Sequence, residues 1–120
     1  MESSGSHRDL LVWQKAMDLV VLIYQLTDRF PKEERYGLTS QIRRAAVSVP
    51  CNIAEGRRRK TRKDYAHFLT MAFGSGAELE TQIEIAVRLK YASVRSVEEI
   101  TKLLTEIMKM LNVLIARFSS

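Results

Sequence analysis

Apolar residues recur at helical spacing in four separate stretches of the chain. In the first, Val12, Trp13, Ala16, Met17, Leu19, Val20, Ile23, Tyr24, Leu26 and Phe30 cover about half the circumference at about 100° per residue. A surface helix needs an apolar stripe only about 100° wide, so the excess predicts a contact beyond the helix's own core. This helix is expected to run from about Asp9, as N-cap, to Phe30, where Pro31 stops it. The charged segment Pro31 to Gly37 reads as a connector. The second stretch, about Leu38 to Glu55, puts Ile42, Ala45, Ala46, Val49 and Ile53 on one face, and its two alanines allow a neighbouring helix to come close. Pro50 falls inside it. Proline costs about 3 kcal/mol in a helix interior, which predicts a kink, with Gly56 as the C-terminal stop.

The third stretch starts near Thr61, where Thr61-x-x-Asp64 resembles a capping box, and continues to about Tyr91. Tyr65, Phe68, Leu69, Ala72, Gly76, Leu79, Ile83, Ala86 and Val87 share its main stripe. Met71, Ile85 and Leu89 form a separate apolar strip, which one buried face does not need. Together with Trp13 they are the candidate contacts between copies of the chain. Gly74 and Gly76 sit mid-helix, where each glycine costs about 1 kcal/mol relative to alanine. A continuous helix is still expected, with Gly76 admitting a neighbour. Ala92 to Arg95 reads as a loop, and Ser96-x-x-Glu99 as a capping box opening the fourth helix. From Ile100 to Phe118 the apolar residues fill an arc of about 160°. Four long helices with short connectors predict an all-α, antiparallel up-down-up-down four-helix bundle over residues 9–120. Residues 1–8 are expected to be a flexible leader.

Composition narrows the function classes. One hundred and twenty residues make one domain with a real core. A net charge of +5 fits a protein that meets polyanions. The single cysteine, Cys51, excludes an internal disulfide and offers no metal framework. No apolar run reaches the length of about 18 residues that a membrane helix needs. A soluble, cytoplasmic protein without membrane contact is expected.

Six of the seven residues from Arg57 to Lys63 are basic: Arg57, Arg58, Arg59, Lys60, Arg62 and Lys63. Such a loop can contact phosphates and release their counterions, with Arg43 and Arg44 in support. The plainer alternative is a solvated charged loop. Tyr65 and His67 follow the run and could stack on bases, although Tyr65 shares the core stripe. Arg44, Ser48, Asn52 and Glu55 lie three or four residues apart on the polar face of the second helix. They read as a hydrogen-bonded layer reaching Ser75 and Glu78. Neither Ser48 nor Cys51 has a histidine beside it to act as a base. Glu78, Glu80 and Glu84 lack the Glu-x-x-His pairs of a di-metal bundle, and no glycine-rich phosphate loop occurs. No catalytic residue, metal or cofactor is expected.

Several segments carry a family likeness. They are Val12-Trp13-Gln14-Lys15-Ala16, Phe30-Pro31, and Tyr36-Gly37-Leu38-Thr39-Ser40-Gln41. Next come Arg43-Arg44-Ala45-Ala46-Val47-Ser48-Val49-Pro50 and Asn52-Ile53-Ala54-Glu55-Gly56. The last are Ala72-x-Gly74-Ser75 and Glu78-Leu79-Glu80-Thr81-Gln82. Together they resemble the four-helix-bundle proteins encoded in intervening sequences of bacterial 23S ribosomal RNA genes. Cys51, where a small residue such as alanine is common, is a mild departure. The resemblance implies a homopentameric ring. It also implies kinship with the accessory variability determinant proteins of diversity-generating retroelements, which are basic, pentameric, and work with a reverse transcriptase and nucleic acid. The reading that results is a non-catalytic homo-oligomer binding RNA or DNA. Its rival is an interaction scaffold for a polymerase or other partner protein.

Overall fold

The computed structural model describes residue 7 and residues 10–119. Among these are four α-helices and no strand: α1 (Leu11–Thr27), α2 (Leu38–Arg57), α3 (Arg62–Arg88) and α4 (Glu98–Ser119). A single 3-10 turn, Lys32–Glu34, lies between α1 and α2. Each helix packs on its neighbour in sequence, and α1 also packs on α4. The four apolar stripes therefore meet along one axis. Leu19 and Ile23 of α1, Ile42 and Ile53 of α2, Leu69 and Leu79 of α3, and Leu104, Ile107 and Leu111 of α4 are fully buried there.

The proposed N-cap Asp9 lies outside the described residues, as does the leader apart from His7. Leu10 precedes α1 without a side-chain cap, and the His7 ring meets Trp13 edge-on at 4.9 Å. The helix ends at Thr27, three residues before the expected Phe30. Pro31 disfavours helical backbone at the residue before it. The chain tightens instead, with Arg29 N–H donating to Leu26 and Phe30 N–H donating to Thr27.

Gly56 does not terminate α2. The helix continues to Arg57, and none of the described glycines has a positive φ. What Gly56 supplies is clearance: a Cβ there would stand 2.8 Å from the Phe68 Cβ and 3.0 Å from the Tyr65 ring. Gly76 acts similarly within the unbroken α3, where a Cβ would collide with the Met108 sulfur of α4. Gly74 is different, since a Cβ there would meet nothing within 4 Å.

Thr61 caps α3 as its spacing predicts, its Oγ1 accepting the Asp64 N–H at 3.1 Å. The other end of α3 closes at Arg88, three residues earlier than expected. Tyr91 N–H reaches back to the Ala86 carbonyl (2.9 Å) and Lys90 N–H to the Val87 carbonyl (3.0 Å), the paired bonds of a Schellman cap. Lys90 occupies the left-handed position with φ 65°, which disfavours a Cβ-bearing residue by about 1–2 kcal/mol. Lys90→Gly is expected to raise the stability to chemical denaturation by about 1 kcal/mol.

The capping box before α4 sits one turn upstream of Ser96-x-x-Glu99. Ser93 and Ser96 bond each other reciprocally: Ser96 N–H donates to Ser93 Oγ (3.0 Å) and Ser93 N–H to Ser96 Oγ (2.9 Å). Ser96 is thus the far member of the box rather than the cap.

The connector before α2 holds a clasp. Glu34 accepts the Leu38 N–H at 3.0 Å, satisfying a donor at the start of α2. Its other oxygen accepts the Tyr91 hydroxyl at 2.9 Å. These bonds, the Leu38 N–H first, hold the Glu34 carboxyl below its ordinary pKa. The bond to Glu34 pushes the Tyr91 phenol above its own. A depressed carboxylate stabilises the fold above its unfolded pKa and loses that contribution as pH falls through the folded value. A raised phenol stabilises below its unfolded pKa and loses it as pH rises through the folded value. Denaturation of the wild type should therefore become easier at both the acid and the alkaline end. In Glu34→Gln both of these dependences should flatten.

Candidate nucleic-acid interface

The basic segment forms the turn from α2 to α3, and its local sequence dictates the form. α2 ends at Arg57 with Arg58 as C-cap, Thr61 caps α3, and only Arg59 and Lys60 remain between the caps. Cations are favoured at the negative end of the α2 dipole. The clearance at Gly56 draws α3 against the end of α2, so the cations gather at one end of the bundle. The end of α4 arrives at the same place, with the Tyr65 and Phe118 rings 4.7 Å apart.

The six cations divide by surroundings. Arg57 is half-buried, its guanidinium 5.9 Å from the centre of the Tyr65 ring. Arg59 forms an ion pair with Glu55 at 2.6 Å and lies 4.7 Å from the centre of the Phe68 ring. Arg62 donates to the Arg117 carbonyl at 2.5 Å and lies 4.8 Å from the centre of the Phe118 ring. Arg58, Lys60 and Lys63 are exposed and have no ion-pair partner among the described residues.

Tyr65 faces the core and is 6% exposed. Burial pushes its phenol above the ordinary range, against the opposing pull of Arg57 and Arg117; with its ring inside the core it is no platform for a base. His67 is exposed, its ring edge-on to Phe68 at 5.5 Å.

Arg43 and Arg44 do not join this end. The Arg43 Nε donates to Thr27 Oγ1 at 2.8 Å, its guanidinium lies 4.4 Å from the centre of the Tyr24 ring, and Asp28 is 3.7 Å away. It therefore ties α2 to the end of α1. Arg44, the next residue of α2, is exposed near the start of that helix, away from the cationic turn.

The polar layer is smaller than its six candidate residues. The Ser48 and Ser75 hydroxyls bond across α2 and α3 at 2.8 Å. Asn52 donates to the Ser48 carbonyl and hydroxyl, each at 2.9 Å. The others lie outside: Arg44 is exposed, Glu55 pairs with Arg59, and Glu78 accepts from Gln82 at 3.3 Å. Their side chains need no partner across the helix interface because solvent or their own helix satisfies them.

Sequence reading missed Arg117, Phe118 and the Glu34–Tyr91 clasp. Phe118 shares the apolar stripe of α4, but nothing local signals that it meets Arg62, fifty-five positions before Arg117. Of the candidate interface residues, Met71, Ile85 and Leu89 are 44%, 41% and 51% exposed, while Trp13 is partly buried against the core. An apolar-floored groove of about 770 Å³ between α3 and α4 includes Ile83, Val87, Val97 and Leu104, and neither Ser48 nor Cys51. Among the described residues no group of His, Cys, Asp and Glu could hold a metal ion. No helix among them is long and apolar enough to cross a membrane.

Fold and charge define a basic, all-helical four-helix protein with a cationic turn at one end. The chain belongs to the 23S rRNA-intervening sequence protein family, whose model matches residues 8–113. It is also similar to a solved structure from Bacteroides thetaiotaomicron, a protein of unknown function from the S23 ribosomal protein family. That likeness has 28% identity, covers 88% of this chain and 98% of the other, and gives a TM-score of 0.81. No curated protein matches the chain.

Proposed function

We propose that the chain is a non-catalytic, homo-oligomeric four-helix bundle that binds the phosphate backbone of RNA or DNA through the α2–α3 turn. The observation that carries this reading is the set of exposed cations Arg58, Lys60 and Lys63 at one end of the molecule, without an ion-pair partner among the described residues. Unpaired surface cations can neutralise phosphates without first losing a carboxylate partner. Membership in a family named for 23S rRNA intervening sequences supports nucleic acid as the partner. The accompanying arrangement is an up-down-up-down bundle with α2 bent at Pro50, acting in the cytoplasm.

Self-association is supported by the apolar strip Met71, Ile85 and Leu89 on the outer side of α3. Gly74 on the same helix has open space where a Cβ would be, so its helical cost of about 1 kcal/mol has no reason within one chain. A ring would repeat the cationic turn and multiply a weak contact by avidity. Five copies is the count the family resemblance implies. The same strip favours the second reading, a scaffold for a polymerase-like protein.

Light scattering with and without a structured RNA, at low and high salt, tests both parts. The expected result is an oligomer that gains mass with RNA at low salt and loses it at high salt. A monomer that ignores RNA at low salt rejects the reading.

A further inference from the structure

We propose that the cationic end takes single-stranded nucleic acid, stacking unpaired bases on the guanidinium faces of Arg59 and Arg62. This inference rests on the nucleic-acid reading above and specifies the kind of strand.

Both arginines are braced in the same way. The guanidinium carbon of each lies over a phenylalanine ring, Arg59 over Phe68 at 4.7 Å and Arg62 over Phe118 at 4.8 Å from the ring centre. One nitrogen of each is already committed, to the Glu55 carboxylate and to the Arg117 carbonyl. One of the five N–H donors of each is therefore taken, and at Arg59 the carboxylate of Glu55 competes with an incoming phosphate. Both residues nevertheless remain exposed, which leaves room for a base on the guanidinium. A planar cation fixed on an aromatic ring is a platform for a nucleobase. Its side-chain freedom is already spent, so a base docks on it at little ordering cost.

The setting agrees with this use. The two platforms are three residues apart, no more than about 11 Å along the backbone. Between and beside them stand Arg58, Lys60 and Lys63, which have no ion-pair partner among the described residues. Single-strand binders combine these two elements, a cationic track for the backbone and flat surfaces for the bases. A duplex hides its base faces in the stack and would engage only the track.

The test compares a labelled single-stranded RNA of mixed sequence with a duplex of the same length, by fluorescence anisotropy on the full chain at low salt. Arg59→Lys/Arg62→Lys keeps the charge and removes the planes. It is expected to weaken single-strand binding about tenfold or more and to leave duplex binding within about twofold. Phe68→Leu and Phe118→Leu, which remove the backing, should move in the same direction, with circular dichroism confirming the helices. Equal loss on both substrates, or loss on neither, overturns the stacking assignment while the nucleic-acid reading stands. Binding to neither substrate by the wild type overturns both.

Discussion

Leu79→Ala is expected to lower the stability of the bundle by about 2–5 kcal/mol, while Met71→Ala on the same helix changes it by no more than about 0.5 kcal/mol. Leu79 is fully buried at the meeting of the four stripes, whereas Met71 is 44% exposed. Truncating Leu79 removes transferred hydrocarbon and leaves a cavity that the surrounding helices cannot fully close. Truncating Met71 leaves only more water. If the α3 strip joins copies of the chain, Met71→Ala should instead reduce the assembled mass. Urea denaturation measured alongside light scattering separates the two effects. A Met71 variant as unstable as the Leu79 variant would mean that fold and assembly are one transition.

Gly56→Ala should cost about 1–3 kcal/mol, the range for overpacking a tight contact. In an ordinary helix this exchange is favourable by about 1 kcal/mol, so the sign reports the packing. The added Cβ meets the Phe68 Cβ, the Tyr65 ring and, at 3.3 Å, the Tyr65 carbonyl. Two of these contacts lie on or next to the backbone of α3, so no side-chain rotation relieves them. The helices must separate at the very end where the cations gather. Gly74→Ala, with open space around it, is the control for intrinsic propensity. Stabilisation by Gly56→Ala in a denaturant titration would contradict the close approach.

Helix periodicity made the four elements and the core side of each legible, because apolar spacing is a local property. The same holds for Thr61 as a cap and for Tyr65 as a core residue. Gly56 shows where locality fails. A glycine near a helix end reads as a stop, and only the neighbouring helix reveals that it is a clearance. Ser96 was placed on the right motif with the wrong partner, since Ser93 at the same spacing competes for its hydroxyl. Arg43, read with the cationic set, is held by Tyr24, Thr27 and Asp28 of another helix. The Glu34–Tyr91 bond spans fifty-seven positions, beyond any sequence window. The cationic turn was visible as composition. Its division into braced arginines and unpaired cations required the placement of Phe68 and Phe118.

The most direct test of the cationic turn as the nucleic-acid contact is the salt dependence of RNA binding in Arg58→Ala/Lys60→Ala/Lys63→Ala. These side chains make no ion pair among the described residues, and losing cations from the end of α2 costs no more than about 1 kcal/mol, so the variant should stay folded. On a single strand each lost phosphate contact removes about 0.7 from the slope of log affinity against log salt. The slope is therefore expected to fall in magnitude by about 2, with weaker binding at low salt. An unchanged slope and affinity in a folded variant would place the contact elsewhere and contradict the account.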